Sequence, residues 1–438
     1  MTTTTNHAAP VFLLNAQYLP SSVDWRRSKG QHSPFDPATF IGEAQRAETA
    51  GFDGFFQADF SGVNRAGLRA GPPLTAFEPF QLAALAAAAT TRIAVMPTVS
   101  TLHTHPFTFA RNLASLDRIS GGRAWINVVS SYRPGTALGA QRQTSRERRH
   151  DQTAEFIDVA RRLWSSWPPE ANIPDIDGDR YIRDNLVTDL DHHGEFYDQP
   201  GPIDMPPLSA QFPFTLQATS SLSGLRLAAR TADAVFAGTP TLGAAQQLRR
   251  ILHAETARAG RAPGSVALLP GCYIHVTGSD EQARLAFAER QRAASGFAGA
   301  AAVAQLRARF PALELAGTST QDRLPANLLP DEPDEVFARH GSPYLPLWDL
   351  ARGHTRTVGE FASETMLLSE HARFVGTADQ IADEIVRWID HGGVDGFQLI
   401  LGNDFDAVCD HIIPAVIAAT RRSTSRVANN RIAHTTTP

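Results

Sequence analysis

Polar side chains gather at the ends of short apolar runs, and their types indicate what those ends can do. Gln57, Ala58 and Asp59 follow one run; Thr98, Ser100, Thr101, His103 and His105 another; Asn127, Ser130 and Ser131 a third; Gln217, Thr219, Ser220 and Ser221 a fourth. Most are neutral hydrogen-bonding residues. Such a set suits a large polar ligand held by many weak contacts better than a metal cage or a carboxylate dyad. Thr219-Ser220-Ser221 leads straight into a helical stretch from Leu222. Hydroxyls beside unpaired N–H groups at the positive end of a helix make a phosphate site, each interaction contributing ~0.3–1 kcal/mol; ordinary N-capping by Ser221 is the plainer reading. Asp59 reads as a general base or cofactor-positioning acceptor, or equally as an arginine's structural partner. His103-Thr104-His105 has the spacing that opens a binuclear metal site in barrel hydrolases. The bridging carboxylated lysine of such sites has no counterpart, because the single lysine, Lys29, precedes the motif. No metal site is expected. His192-His193 is a loop pair that either caps a pocket or lies on the surface.

The elements that must carry these residues show a repeated joint: a helix ends at small residues, and Asp and an apolar strand follow. It occurs at Ala50-Gly51-Phe52-Asp53, Thr231-Ala232-Asp233 and Gly393-Val394-Asp395, where glycine can close a helix and the continuous apolar run suits a buried parallel strand. With the runs Val11 to Tyr18, Arg92 to Ser100, Arg123 to Ser130, Phe212 to Ala218 and Val266 to Val276, the joints give eight strands. Helical stretches near 38–50, 77–89, 107–119, 150–166, 222–231, 241–259, 377–391 and 404–420 alternate with them. Without G-x-G-x-x-G or G-x-x-x-x-G-K, eight βα units favour an α/β fold of the (β/α)8 TIM-barrel type over a doubly wound sheet. The expected organisation is one barrel domain over 1–420 with insertions in the βα loops at 131–150, 167–211 and 277–376, and a disordered tail at 421–438. Arg133, Arg142, Arg146, Arg148 and Arg149 crowd the first insertion, as a solvated surface or as part of an anion site. Insertions on the catalytic face of a barrel build walls or a lid.

Composition removes several classes. Of 40 basic residues only Lys29 is a lysine, which leaves little room for Schiff-base or Ser-Lys chemistry, because arginine does not lose its proton. A formal charge of -5 argues against a nucleic-acid partner. Two cysteines, Cys272 and Cys409, exclude a disulfide framework. No apolar run approaches the ~20 residues that span a bilayer, and no signal peptide is evident, so a cytoplasmic protein without membrane partners is expected.

The stretches Thr90-Thr91-Arg92-Ile93-Ala94-Val95, Thr98-Val99-Ser100-Thr101, Ser120-Gly121-Gly122-Arg123-Ala124-Trp125-Ile126-Asn127-Val128-Val129, Leu163-Trp164-Ser165-Ser166-Trp167 and Gln217-Ala218-Thr219-Ser220-Ser221 resemble the luciferase-like flavin monooxygenases. Within them the match is to the nitrilotriacetate, dibenzothiophene-sulfone and long-chain-alkane monooxygenase branch, and it spans roughly 10 to 420. The resemblance implies a TIM barrel that takes reduced FMN (FMNH2) from a separate NAD(P)H:flavin reductase, adds O2 to form a flavin peroxide, and inserts one oxygen atom into a small organic substrate. It places Asp59, Thr98, Thr101 and Asn127 on the flavin or its ribityl chain and Ser220 and Ser221 on the phosphate. Where the family has a histidine and then an Arg-Tyr pair, this chain has Arg146, Arg149 and His150, so His150 replaces the tyrosine contact to the phosphate. Thr219 replaces a glycine. No catalytic acid or base is assigned, and a homo-oligomer is expected. A deazaflavin-dependent hydride-transfer enzyme and a non-catalytic flavin-binding protein are the alternatives. The chemistry implied asks the protein for orientation and a dry pocket, a role for the 277–376 insertion.

Overall fold

The computed structural model describes residues 13–18, 35–59, 76–130, 145–286, 300–352, 356–365, 370–402 and 404–419. Its centre is a parallel barrel. In chain order the staves are β1 (Leu13–Tyr18), β2 (Gly54–Gln57), β3 (Ala94–Met96), β4 (Thr98–Ser100), β5 (Ile126–Val129), β8 (Thr215–Ala218), β9 (Ala234–Ala237), β10 (Ala267–Val276) and β12 (Gly396–Ile400). A small antiparallel pair, β6 (His192–His193) and β7 (Asp198–Gln199), stands apart. The neighbour order is β3-β2-β1-β12-β10-β9-β8-β5-β4. β3 and β4 are two halves of one run interrupted at Pro97, one pairing with β2 and the other with β5. The nine strands therefore make eight staves, at the eight places expected from the apolar runs.

The helices around the barrel are α1 (Pro37–Ala50), α2 (Pro79–Ala89), α3 (Pro106–Ser120), α4 (Arg146–Ser165), α5 (Leu222–Thr231) and α6 (Leu242–Arg258). The αβ joints explain themselves. Gly51 closes α1 at φ 100, and the aspartates tie adjacent staves together: Asp233 accepts from the Thr215 N–H at 2.8 Å and Asp395 from the Leu268 N–H at 2.9 Å. Strand alternation sorts the side chains. Phe56, Met96, Leu216 and Leu269 form an apolar cluster inside the barrel, while Phe55, Val95, Val99, Ile126 and Val128 pack outward against the helices.

Two expectations shift. Helix α4 begins at Arg146 and not near 150, because Ser145 caps it by accepting from the Arg148 N–H; Arg133 and Arg142 lie outside the described residues, as does the tail at 421–438. The 277–376 excursion has structure of its own: α7 (Ala300–Arg309), α8 (Pro333–His340), α9 (Leu345–Ala351), α10 (Val358–Thr365) and a further strand, β11 (Ala372–Gly376), which pairs with β10. Beyond it, α11 (Ala378–Asp390) carries a full capping box at Thr377 and Gln380. After β12, the helix expected over 404–420 is present: α12 (Phe405–Ala407) passes through a π-helical turn at Val408–Ile412 and continues as α-helix to 419.

Candidate active site

A cleft of about 610 Å³ opens at the C-terminal ends of the staves, the face on which barrels place catalysis. Its floor is built from Asp59 after β2, Ser100 at the end of β4, Val129 and Ser130 at the end of β5, and Ala218 at the end of β8. One wall is the loop Thr219–Ser221 with the first turn of α4, which contributes Arg146, Arg149 and His150. A further wall comes from the excursion and includes Arg309, Phe310, Arg339, His340 and Tyr344, with Glu370 beside them.

Four of the seven residues singled out in the sequence, Asp59, His150, Ser220 and Ser221, line this cleft. Thr98 and Asn127 lie one inward-facing position below Ser100 and Val129 and are almost fully buried. Asn127 Nδ2 donates to Thr98 Oγ1 at 3.0 Å, and Thr98 Oγ1 donates to the Gln57 carbonyl at 2.7 Å. Asn127 Oδ1 has no protein partner, so an acceptor is held ready beneath the floor. Thr101 goes elsewhere. It has the outward parity of Val99, its hydroxyl meets that of Thr153 in α4 at 2.8 Å, and its carbonyl accepts from the Tyr197 hydroxyl. Strand parity therefore assigns Ser100, and not Thr101, to the cleft.

Helix ends and hydrogen-bond donors gather at the wall around Ser220. Ser221 is the N-cap of α5, its hydroxyl accepting from the Gly224 N–H at 3.2 Å. The Leu222 and Ser223 N–H groups have no intrahelical acceptor by helix geometry. The Thr219 hydroxyl turns back to accept from the Ser221 N–H at 3.4 Å, and only a glycine at 224 makes room for it, since a Cβ there would collide with Thr219 Oγ1. The N-terminus of α4 meets the same cleft. Arg146, Arg148 and Arg149 occupy its first turn, at the positive end of the helix dipole, where cations are disfavoured by some tenths of a kcal/mol each. Arg148 is answered by Glu195 at 2.6 Å; Arg146 and Arg149 face the cleft. Burial, and then the charges of Arg146 and Arg149, hold the His150 imidazole below its ordinary pKa, and its buried Nδ1 has no protein partner. Two helix N-termini, two guanidinium groups and a neutral imidazole thus converge, and these donors fit the phosphate tail of a flavin mononucleotide.

Other sequence candidates serve structure. His105 caps α3 by accepting from the Phe107 N–H. Glu155 feels burial, which raises its pKa, but bonds from His192 and the Tyr197 and Phe196 N–H groups outweigh it and hold the carboxyl below its usual range. His192 is thereby bound to α4, and His193 is an exposed partner of Asp191 and Asp198. Among the described residues, no three His, Cys, Asp or Glu side chains are arranged to hold a metal ion. The residues that the sequence did not reveal are those of the excursion wall, where no periodic signal connects Arg309, Arg339 and Glu370 to the barrel.

Comparison with known proteins places this geometry. The luciferase-like monooxygenase family model matches residues 19–395. The chain is 29% identical to N-acetyl-S-(2-succino)cysteine monooxygenase of Bacillus subtilis over 85% of its own length and 83% of the relative's. It is also 29% identical to nitrilotriacetate monooxygenase component A of Aminobacter aminovorans over 78% and 74% of the two chains. The solved structure of EDTA monooxygenase from Chelativorans sp. BNC1 superposes with a TM-score of 0.72 at 23% identity, covering 94% of each chain. No helix among the described residues is long and apolar enough to cross a membrane. With the match covering most of the chain and the barrel and cleft in place, the protein belongs to the luciferase-like monooxygenase family.

Proposed function

We propose that the protein is the oxygenase component of a two-component system, using reduced FMN and O2 to insert one oxygen atom into a small polar organic substrate. The observation that carries the cofactor assignment is the convergence of the α5 N-terminus, Ser220, Ser221, Arg146, Arg149 and His150 at one end of a cleft whose floor, Asp59 apart, has no charged side chain. When bound, the reduced flavin and O2 supply the oxidising chemistry. The chain's own residues bind, orient and exclude water. Ser220, Ser221 and the free N–H groups of α5 hold the phosphate, with Arg146 and Arg149 balancing its charge. The Thr98–Asn127 pair would present the Asn127 Oδ1 acceptor to the flavin, with the Asp59 carboxylate at the floor of the same cleft. A separate NAD(P)H:flavin reductase supplies the reduced cofactor, a division of labour supported by the relative named component A.

The excursion wall narrows the substrate. Arg309, Arg339, paired with Glu335, and His340 stand beside the rings of Phe310 and Tyr344, with Glu370 near them, a surface better matched to a charged polar molecule than to an alkane. Two relatives are named for such molecules, N-acetyl-S-(2-succino)cysteine and nitrilotriacetate. The test has two parts. Ser220→Ala with Ser221→Ala lowers FMN affinity at least ~10-fold, about 1.4 kcal/mol, and leaves riboflavin affinity within about twofold; equal losses refute the phosphate assignment. With a generic flavin reductase, carboxylated thioethers and amines raise oxygen consumption above free-flavin autoxidation and yield an oxygenated product. Autoxidation alone sinks the oxygenase reading.

A further inference from the structure

We propose that Gly341 and Ser342, far along the chain in the excursion, are positioning residues for the phosphate end of the cleft, and that they help select a phosphorylated flavin over an unphosphorylated one. The inference rests on the reading of that end as a phosphate site. Gly341 closes α8 with φ 87 and ψ 179. A Cβ at this position would collide with the carbonyl oxygen of Ser220, and the positive φ strains any other residue. The next N–H, that of Ser342, donates to the same Ser220 oxygen at 2.7 Å. Ser342 is fully buried, so the bond is shielded from water.

The bond matters because of the peptide it grips. The Ser220 carbonyl and the Ser221 N–H belong to one planar unit. Its oxygen is held by Ser342 and its N–H by the Thr219 hydroxyl. Clamped at both ends, the unit cannot turn over. Turned over, it would point the negative end of its dipole at an anion in the cleft and unseat Ser221 from the Gly224 N–H that it caps. The clamp itself is anchored, since Val336 and Phe337 of α8 share an apolar core with Leu225 and Ala228 of α5. The excursion thus sets the peptide that opens the phosphate-binding helix.

The experiment measures FMN and riboflavin dissociation constants by fluorescence titration of the full chain. Gly341→Ala is compared with Gly317→Ala, a control in the same excursion with a similar positive φ and open space around it. Gly341→Ala is expected to weaken FMN at least ~10-fold with riboflavin within about twofold, and Gly317→Ala to change neither. Should Gly341→Ala fail to fold, Ser342→Pro removes the donor at the first position of a short helical turn, where proline is tolerated, and is expected to show the same selective loss. Unchanged FMN binding, or equal losses for both ligands, overturns the clamp while leaving the phosphate reading intact. A wild-type chain that binds riboflavin as tightly as FMN overturns the phosphate reading, and the clamp with it.

Discussion

At the scale of single residues, His150 shows how a substitution changes the control of a site without removing it. A tyrosine at this position would donate a hydrogen bond at any physiological pH, whereas an imidazole also changes charge. Burial, Arg146 and Arg149 depress its pKa in the free protein, so it is neutral near pH 7. A phosphate beside it reverses the local field and raises the pKa, so FMN binding takes up a proton. By linkage, affinity rises as pH falls through the bound-state value, and the gain is complete below the free-state value. The phosphate's own second pKa near ~6 confines the measurement to higher pH. Wild type is therefore expected to bind FMN several-fold more tightly at pH 6.5 than at pH 8, with riboflavin insensitive over the same range. His150→Gln should flatten the FMN profile, and a His150→Gln profile as steep as wild type's would show that another group titrates.

At the scale of elements, the turn from Ser120 to Arg123 works at the opposite end of β5 from the cleft. Gly121 closes α3 at φ 68, and Gly122 follows at φ 85. Arg123 then turns its guanidinium onto the carbonyls of Ser120, Ile93, Ala87 and Thr90. It satisfies the end of α2 and the start of β3 in one residue, a position before the strands where a barrel stores stability. Removing it leaves several carbonyls unpaired, so Arg123→Ala is expected to cost about 3 kcal/mol, read as a fall in the urea midpoint with FMN affinity of the folded fraction unchanged. A loss of FMN affinity without loss of stability would place Arg123 in the site instead. The same contrast shows what was legible. All eight staves and the αβ joints stood in the sequence, because buried parallel strands leave continuous apolar runs and the glycine turns leave their own mark. Ser220, Ser221 and Asp59 stood out because they follow those runs directly, and His150 because the family resemblance points to its position. Thr101 was misplaced because the strand end was read without its parity, and β11 was missed because its short alternating pattern, buried at Ala372, Phe374 and Gly376 only, looks like loop. The excursion wall was hidden because its contacts with the barrel, such as Ser342 with Ser220 and Asp334 with Gln247, join residues far apart in the chain.

At the scale of the molecule, the question is whether the excursion is a lid or a wall. A lid needs few buried contacts and a low opening free energy. The described part of the excursion is the opposite: Leu306, Val336, Leu347, Val358 and Phe361 are fully buried and form one apolar cluster with Leu225, Ala228, Leu248 and Leu252 of α5 and α6. Burying a side chain of this size contributes ~1.5–3 kcal/mol, so several together couple the excursion to the barrel's own unfolding. Arg323 bridges to Thr357, and Arg307 donates to the Thr318 carbonyl at 3.0 Å, tying its loops to its helices. The described part of the excursion is thus a packed wall of the cleft. Amide hydrogen exchange followed by mass spectrometry separates the two cases. Peptides covering α8 and α10 are expected to exchange as slowly as those covering α5, over hours and not seconds, and FMN should slow them little further, except at Gly341 and Ser342. Rapid exchange across α8 and α10 that FMN suppresses would establish a lid that closes on the cofactor.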